Sequence, residues 1–535
     1  MTTSLMSNDR AVASDSASFI EVKELIRQAL ASAAKTNTVE VIETHISTVF
    51  LTDRFAYKLK KPVRFDFVDF STVKLRREAC ENEVRLNRRL APRVYLGVVP
   101  VVRNEQGVIA IDQPGIPVDW LVKMQRLPAS KSLDTLLREG RVTSVTIEDL
   151  ANSLSRFYNQ LPPVTMTVNE YRRSIEEHVI ANRDELVAAS HGLDSRQVRR
   201  THSAQLRVLK LAPDMLDARV CDGRIVEGHG DLRPEHIYFT PSPVIIDCIE
   251  FNQQLRTLDV VDELAFLAME CDLIGEPNVT ATVFDRYFEQ SGDTPPTSLI
   301  DFYRLYRASV RAKVSALRAE QLTANLRKRQ LALAGQYLDL ADRYSRLLAP
   351  PLLILIRGLP GTGKSTLAEM ICGQLGFELL QTDAIRKSLF GVQAEHTDFN
   401  AGRYRSENRM LVYDRMHEEA ERLLSIGMSV VLDGTYLAST LRDSARQLAL
   451  RQKAELLTIR CHGPDQLVLQ RIKDRMLRGG ALSDARPDFF VQQQLSEEPD
   501  PPGQQSLSVD TSESLGDPMK KVFEALRRAS FGDTT

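Results

Sequence analysis

The chain of 535 residues is 43% hydrophobic and 26% charged, which excludes a wholly disordered chain and allows roughly two to four folded domains. Its 69 Lys and Arg against 71 Asp and Glu leave a formal charge of -2, which excludes a global basic field for nucleic acid or anionic lipid. The six cysteines (Cys80, Cys221, Cys248, Cys271, Cys372, Cys461) form no C-x-x-C pair, no apolar run approaches a bilayer span, and the N-terminus lacks a leader pattern, so a reducing, cytoplasmic setting is expected.

In chain order, residues 1 to 17 are small and polar and read as a frayed end, as does the short helical pattern and polar tail from about Phe523. The run from Phe19 predicts a helix, Val39 to Phe50 and Phe55 to Lys60 predict strands, and Leu75 to Leu90 predicts a charged helix. Two further strand-like runs flank the turn from Asn104 to Gly107. Trp120 to Leu127 then leads into helical sequence through residue 220, a β-rich patch over 225–251, and helical sequence again to about Leu348. Pro350 and Pro351 break that pattern and set the expected domain boundary, giving domains 19–348 and 351–535. Beyond it strands and helices alternate, which predicts a parallel sheet covered by helices.

Gly358, Pro360, Gly361, Thr362, Gly363, Lys364, Ser365 and Thr366 form the phosphate-loop pattern G-x-x-x-x-G-K-[ST] between an apolar strand and a helix, the context that motif requires. Backbone N–H groups there can close around phosphate oxygens, Lys364 can reach the β and γ phosphates, and the Ser365 hydroxyl can ligate Mg2+. Asp433 ends an apolar strand run and is placed to hold the same metal. Asp383 and Arg386, three apart after the run FELLQT, suit a base carboxylate and an anion-holding guanidinium, or else a helix cap followed by a surface arginine. Arg471, Arg475 and Arg478 recur on one helical stripe, with Arg486 further on, and read either as a lid over the phosphates or as a solvated face. Residues 351 to about 500 resemble the small P-loop kinases that phosphorylate metabolites or nucleic-acid ends, such as gluconate kinase, zeta toxin and the polynucleotide 5'-kinase family.

In the first half, Asp231 sits in HGDLRPEH, His236 follows five positions later, and Asp247 closes VIID. A two-residue turn at Pro241 and Ser242 would set Thr240 opposite Pro243 and His236 opposite Asp247, or one residue off that register, since Pro241 is not ideal for the favoured primed turns. Such a set suits a kinase-type site with a base and metal-side carboxylates. On these residues, 19 to about 345 resemble the aminoglycoside phosphotransferase branch of the protein-kinase-like fold, and the whole chain resembles the bacterial bifunctional aminoglycoside phosphotransferase/ATP-binding proteins. The resemblance implies Asp231 as catalytic base, His236 and Asp247 on the metal side, Lys58 of FAYK as phosphate-binding lysine with Glu83 as its ion-pair partner, and Met124 at the hinge near adenine. Two departures stand out: His236 occupies the position of the family's Asn, and ETHISTVF has no glycine-rich loop, which leaves Ser47 and Thr48 for phosphate contacts.

The arginines Arg304, Arg307, Arg311 and Arg318 predict a solvated basic face, or a docking surface for an anionic substrate or for the other domain, and Asp259, Asp262, Glu263, Glu270 and Asp272 predict either a helix surface or a cationic-substrate cluster. The expected architecture is a two-domain α/β and α+β chain, an N-terminal protein-kinase-like bilobal fold followed by a P-loop NTPase. The expected function is transfer of the γ-phosphoryl group of ATP, with Mg2+ as cofactor, to a hydroxyl-bearing small molecule. The alternatives are a non-catalytic N-terminal module serving a single P-loop kinase, and an ATPase switch without acceptor. Nucleic acid is not favoured as a partner and no membrane partner is expected.

Overall fold

The structure, a computed structural model, describes residues 12–34, 39–65, 68–391, 406–478, 487–500, 506–512 and 516–532. Packing divides the chain into two compact units, Met1–Thr165 with Cys221–Pro295, and Met166–Val220 with Pro296–Thr535. The helices Val168–Leu186, Ser195–Leu211, Thr297–Glu320 and Ala324–Leu348 therefore group with the P-loop sheet and not with the segments that precede them in the chain.

The first unit is built on a six-stranded antiparallel sheet in the order Glu40–Glu43, Ser47–Leu51, Phe55–Lys60, Ile116–Gln125, Tyr95–Arg103, Ile109–Ile111. Period-two alternation on the strand Phe55–Lys60 sorts its side chains between two faces. Tyr57 and Leu59 pack with Ile26 and Leu30 of the helix Val12–Ala34, while Ala56 packs with Cys80 and Val84 of the helix Val73–Asn87. Lys58 and Lys60 share the parity of Ala56, so the strand aims both ammonium groups at that second helix. Thr72 caps it by accepting the amide of Leu75 at 3.2 Å, which fixes where the helix begins and hence where Glu83 lies. This arrangement, an antiparallel sheet with a helix packed on each face, sets Lys58 and Lys60 opposite Glu83.

The second unit contains a five-stranded sheet, all parallel, in the order Glu378–Gln381, Val430–Asp433, Leu352–Arg357, Glu455–His462, Leu507–Asp510. All six residues of Leu352–Arg357 are buried, as a central strand covered on both faces demands. Leu352, Ile354 and Ile356 face the helices Lys364–Leu375 and Gly516–Phe531, and Leu353 and Leu355 face Ser406–Ser425 and Ser439–Arg451. This is the helix-covered parallel sheet of a P-loop fold.

Several expectations change. The C-terminal stretch is not a frayed end: Gly516–Phe531 is a helix whose Val522 and Leu526 are fully buried against the sheet. Arg304, Arg307 and Arg311 do not form a solvated face, because they lie over the rings of Tyr344, Tyr306 and Tyr337. The acidic run is not a helix surface, since Asp259, Asp262, Glu263 and Glu270 are buried at the start and along the helix Val260–Ile274. Arg486 lies outside the described residues.

Candidate functional sites

In the first unit the strand register brings the predicted residues together. Lys58 Nζ donates to Glu83 Oε1 at 2.9 Å and to Asp247 Oδ1 at 2.6 Å. Lys60, absent from the sequence reading, ion-pairs with both Glu83 and Glu250. Burial alone would strip the charge from Lys58, but Asp247 and Glu83 outweigh it and hold its pKa well above the ordinary lysine value. Burial likewise works to raise Asp247, yet Lys58 and His236 hold its carboxyl below the usual range.

The hairpin register differs from the expected one by a single residue. Tyr238 pairs with Val244 and Phe239 with Pro243, so Thr240, Pro241 and Ser242 form a three-residue loop and His236 stands opposite Ile246. The cause lies at Pro241, whose fixed φ does not suit the primed two-residue turns. His236 still reaches the site: Nδ1 donates to the Asp231 carbonyl at 2.9 Å, which leaves Nε2 as the lone-pair nitrogen, 3.7 Å from Asp247 Oδ2. Arg233 also donates to that Nε2 at 3.2 Å and sets its Nε 2.9 Å from Asp231 Oδ1.

Glu263 organises the turn beneath Asp231. Its carboxylate accepts the His229 amide at 2.9 Å, the Gly230 amide, and the Tyr158 hydroxyl at 2.9 Å. His229 Nε2 donates to the Ile246 carbonyl at 2.9 Å, tying this turn to the strand that ends at Asp247. Asp247 itself adopts φ 65°, a left-handed conformation uncommon outside glycine, with its amide donating to the Tyr95 hydroxyl at 3.1 Å. Met124 is buried with Ala56, Val122 and Tyr95 near the end of its strand. Ser47 and Thr48 are both fully buried, and the Thr48 hydroxyl donates to Glu43 at 3.0 Å.

In the second unit Gly358, Gly361 and Gly363 take φ values of 142°, 79° and 78°, which shape the turn between strand and helix. Lys364 is 9% exposed and donates to the Leu359 carbonyl at 2.9 Å, while Ser365 and Thr366 are exposed in the first turn of the helix. Burial lowers the Lys364 pKa and Asp433 works against that shift. Parallel pairing sets Asp433 beside Ile356, two residues before Gly358, where its Oδ2 accepts from Gln381 at 3.2 Å. Asp383 and Arg386 form an ion pair in the helix Thr382–Phe390, and Gln381, not Asp383, is the residue that caps it. Arg471 donates to the Thr511 carbonyl at 2.7 Å, and the Thr511 hydroxyl donates to the Thr362 carbonyl at 2.9 Å. Arg475 acts on Lys364 electrostatically from the same helix, Asp465–Arg478. Thr511 was not legible in the sequence because it follows a strand, Leu507–Asp510, that lies far beyond the motif.

A strand that runs into a phosphate loop, a parallel sheet and a strand-end aspartate define a P-loop domain of the kinase type. A family described as an AAA domain matches residues 353–498. The chain as a whole belongs to the family of Rv2004c, an uncharacterized protein of Mycobacterium tuberculosis: the two are 32% identical over 463 residues, spanning 84% of this chain and 88% of the relative. A shikimate kinase of Chlorobaculum parvum is 26% identical over 186 residues, 33% of this chain and 92% of that protein. Among solved structures, a gluconokinase from Sinorhizobium meliloti aligns at 24% identity over 34% of this chain and 94% of its own, with TM-score 0.25. A choline kinase from Cryptosporidium parvum aligns at 11% identity over 58% of this chain and 90% of its own, with TM-score 0.38.

Proposed function

We propose that the chain is an ATP-dependent phosphotransferase with two nucleotide-binding domains, 19–348 and 351–535, that move the γ-phosphoryl group of ATP to a hydroxyl of a small molecule. This is the reading that the bifunctional aminoglycoside phosphotransferase/ATP-binding resemblance suggests, with the identity of the acceptor left open. The observation that carries it is Lys364, buried at the start of a helix beside the strand that ends in Asp433.

In the second domain the amides of 361–366 cradle the phosphates, Lys364 balances their charge, and Asp383 takes the acceptor's proton while Arg386 holds an anionic group. Arg471 and Arg475 complete the phosphate surroundings, with Arg471 anchored through Thr511. In the first domain Lys58, oriented by Glu83, meets the phosphates, Met124 lies near the adenine, and Asp231 serves as base. The donor chemistry suits a divalent ion at each site: the Asp433 carboxylate and the Ser365 hydroxyl in the second domain, and in the first the Asp247 carboxylate, with His236 available only where Arg233 gives up its hydrogen bond to Nε2. Mg2+ held by these groups would supply charge neutralisation at the phosphoryl oxygens.

A second reading, in which the first domain binds without catalysis, is favoured by the sequence ETHISTVF, which has no glycine-rich loop, and by the burial of Ser47 and Thr48, the latter tied to Glu43. The test is incubation of the full chain with labelled ATP and a metabolite extract, repeated with Asp231→Ala and with Lys364→Ala. Two phosphorylated products, each lost with one variant, support two engines. Loss of all transfer with Lys364→Ala alone selects the second reading, and release of free phosphate without any product sinks both.

A further inference from the structure

The second unit holds a cavity of about 170 Å³ that none of the nucleotide chemistry uses. It lies where the helices Ser195–Leu211 and Ala324–Leu348 meet the sheet edge at which Leu352–Arg357 and Val430–Asp433 begin, the end opposite the phosphate loop. Its lining carries Arg200, Arg207, Arg346, Ser203, Ser345 and Ser429, and no carboxylate among the described residues.

The three arginines are not equivalent. Arg200 ion-pairs with Asp342, and Arg346 Nε donates to the other oxygen of the same carboxylate at 3.2 Å. Arg207 has no such partner. It is 5% exposed, its Nη1 donates to the Pro350 carbonyl at 2.9 Å, and its Nε and Nη2 are buried without a hydrogen-bond partner. Burial pushes its pKa down to about 10 with no opposing charge, and a guanidinium remains charged at neutral pH even so. Orphaned charged donors in a low-dielectric site are costly, and a ligand that supplies the missing acceptors removes that cost.

A second feature keeps the space open. Gly427 has φ 82°, and a Cβ there would come within 3.0 Å of Arg200 Cδ and 3.4 Å of Arg346 Nη1. A side chain at this position would crowd the stem of Arg200 and touch the Arg346 guanidinium, and glycine leaves both room.

We propose that this cavity is a binding site for a small phosphate-class oxyanion, with Arg207 as its principal ligand, Arg346 and the Ser429 hydroxyl, which accepts the Leu352 amide and keeps its own proton to give, as further donors, and Arg200 adding positive charge. A tetrahedral oxyanion offers several acceptors to a planar guanidinium fork and to a hydroxyl at once, and Asp342 pairs with Arg200 and Arg346 but leaves Arg207 without a counter-charge. The ligand is free phosphate or the phosphoryl end of a small metabolite, which share this chemistry. The inference stands apart from the kinase reading, because none of these residues belongs to either nucleotide site.

The test is isothermal titration of the full chain carrying Lys364→Ala, which silences the phosphate loop, with inorganic phosphate and separately with glycerol 3-phosphate. Expected is saturable binding that Arg207→Met weakens at least tenfold and Arg346→Gln weakens several-fold. A melting curve in phosphate-free buffer should show Arg207→Met folding at least as stably as its parent, with the phosphate-induced rise in Tm gone. If Arg207→Met does not fold, Arg346→Gln carries the test, since its side chain is 52% exposed and tolerates change. Tighter binding of glycerol 3-phosphate assigns a metabolite, and tighter binding of phosphate assigns the free ion. No binding to the Lys364→Ala chain, or binding that neither arginine variant alters, overturns the proposal.

Discussion

Lys58 and Asp247 lie 189 positions apart and meet at 2.6 Å. Each holds the other ionised: the Lys58 pKa is raised against its burial, and the Asp247 pKa is lowered against its own. The raised lysine contributes stability below its unfolded value of about 10.4, lost as the pH climbs through the folded value. The lowered carboxyl contributes stability above about 3.9, lost as the pH falls towards its folded value. The pair's contribution should therefore be level between about pH 5 and 9 and shrink in acid. Urea midpoints of the parent and of Asp247→Asn check this. The gap between them should narrow from about pH 7 to about pH 3, and an unchanged gap would show that the pair does not set the acid limb.

Glu83 is the shared carboxylate of Lys58 and Lys60, and both it and Lys60 are fully buried. Glu83→Ala would leave two ammonium groups on one strand face without their common counter-charge. The expected loss is about 3 to 5 kcal/mol, the range for breaking a buried pair from one side. Glu78→Ala, which removes an exposed partner of Lys74, should cost less than about 1 kcal/mol. Urea unfolding of the two variants checks the contrast, and similar costs would mean that the buried network carries no special weight.

The alternation of the second half was legible because a parallel sheet covered on both faces writes each strand as a continuous apolar run, as in LLILI before Gly358. Lys58 was named through the family resemblance, which left Glu78 and Glu81 competing with Glu83; the choice of Glu83 needs the helix from Val73, which turns it and not the exposed Glu78 or Glu81 to the strand. What stayed hidden depends on distant chain. Glu263 sits in DVVDELAF like a surface acid, and only its bonds to the His229 and Gly230 amides reveal its work. Arg233 and Lys60 carry no motif of their own. The hairpin register slipped because a proline decided the turn length. The arginines over Tyr306, Tyr337 and Tyr344 misled because guanidinium stacked on an aromatic ring leaves the same helical spacing as a solvated stripe.

Gly358 has φ 142°, and a Cβ there would collide with the Cys461 carbonyl and come within 3.1 Å of Thr362 Oγ1. Neither neighbour can give way, since one is strand backbone and the other donates to the Leu359 carbonyl at 2.7 Å. Gly358→Ala should therefore distort the loop and weaken ATP binding at least tenfold in calorimetry. Gly373, inside the helix Lys364–Leu375, has nothing within 4 Å of its missing Cβ. Gly373→Ala should leave ATP affinity unchanged and stabilise the chain by about 0.5 to 1 kcal/mol.

The helix Gly516–Phe531 buries Met519, Val522 and Leu526 at spacings of three and four, one apolar stripe laid on the sheet face that also holds Leu352, Ile354 and Ile356. It covers the edge strand Leu507–Asp510, after which Thr511 reaches the Thr362 carbonyl inside the phosphate loop. Leu526 is fully buried, so Leu526→Ala should cost about 2 to 5 kcal/mol through lost transfer energy and the cavity left behind. Leu495→Ala, at a side chain 85% exposed, should fall within about 0.5 kcal/mol of the parent. Because the edge strand carries Thr511, Leu526→Ala should also weaken ATP binding while Leu495→Ala leaves it unchanged. Urea unfolding and ATP titration on the same two variants check both halves. A destabilised Leu526→Ala with undiminished ATP affinity would show that the loop keeps its shape without the terminal strand.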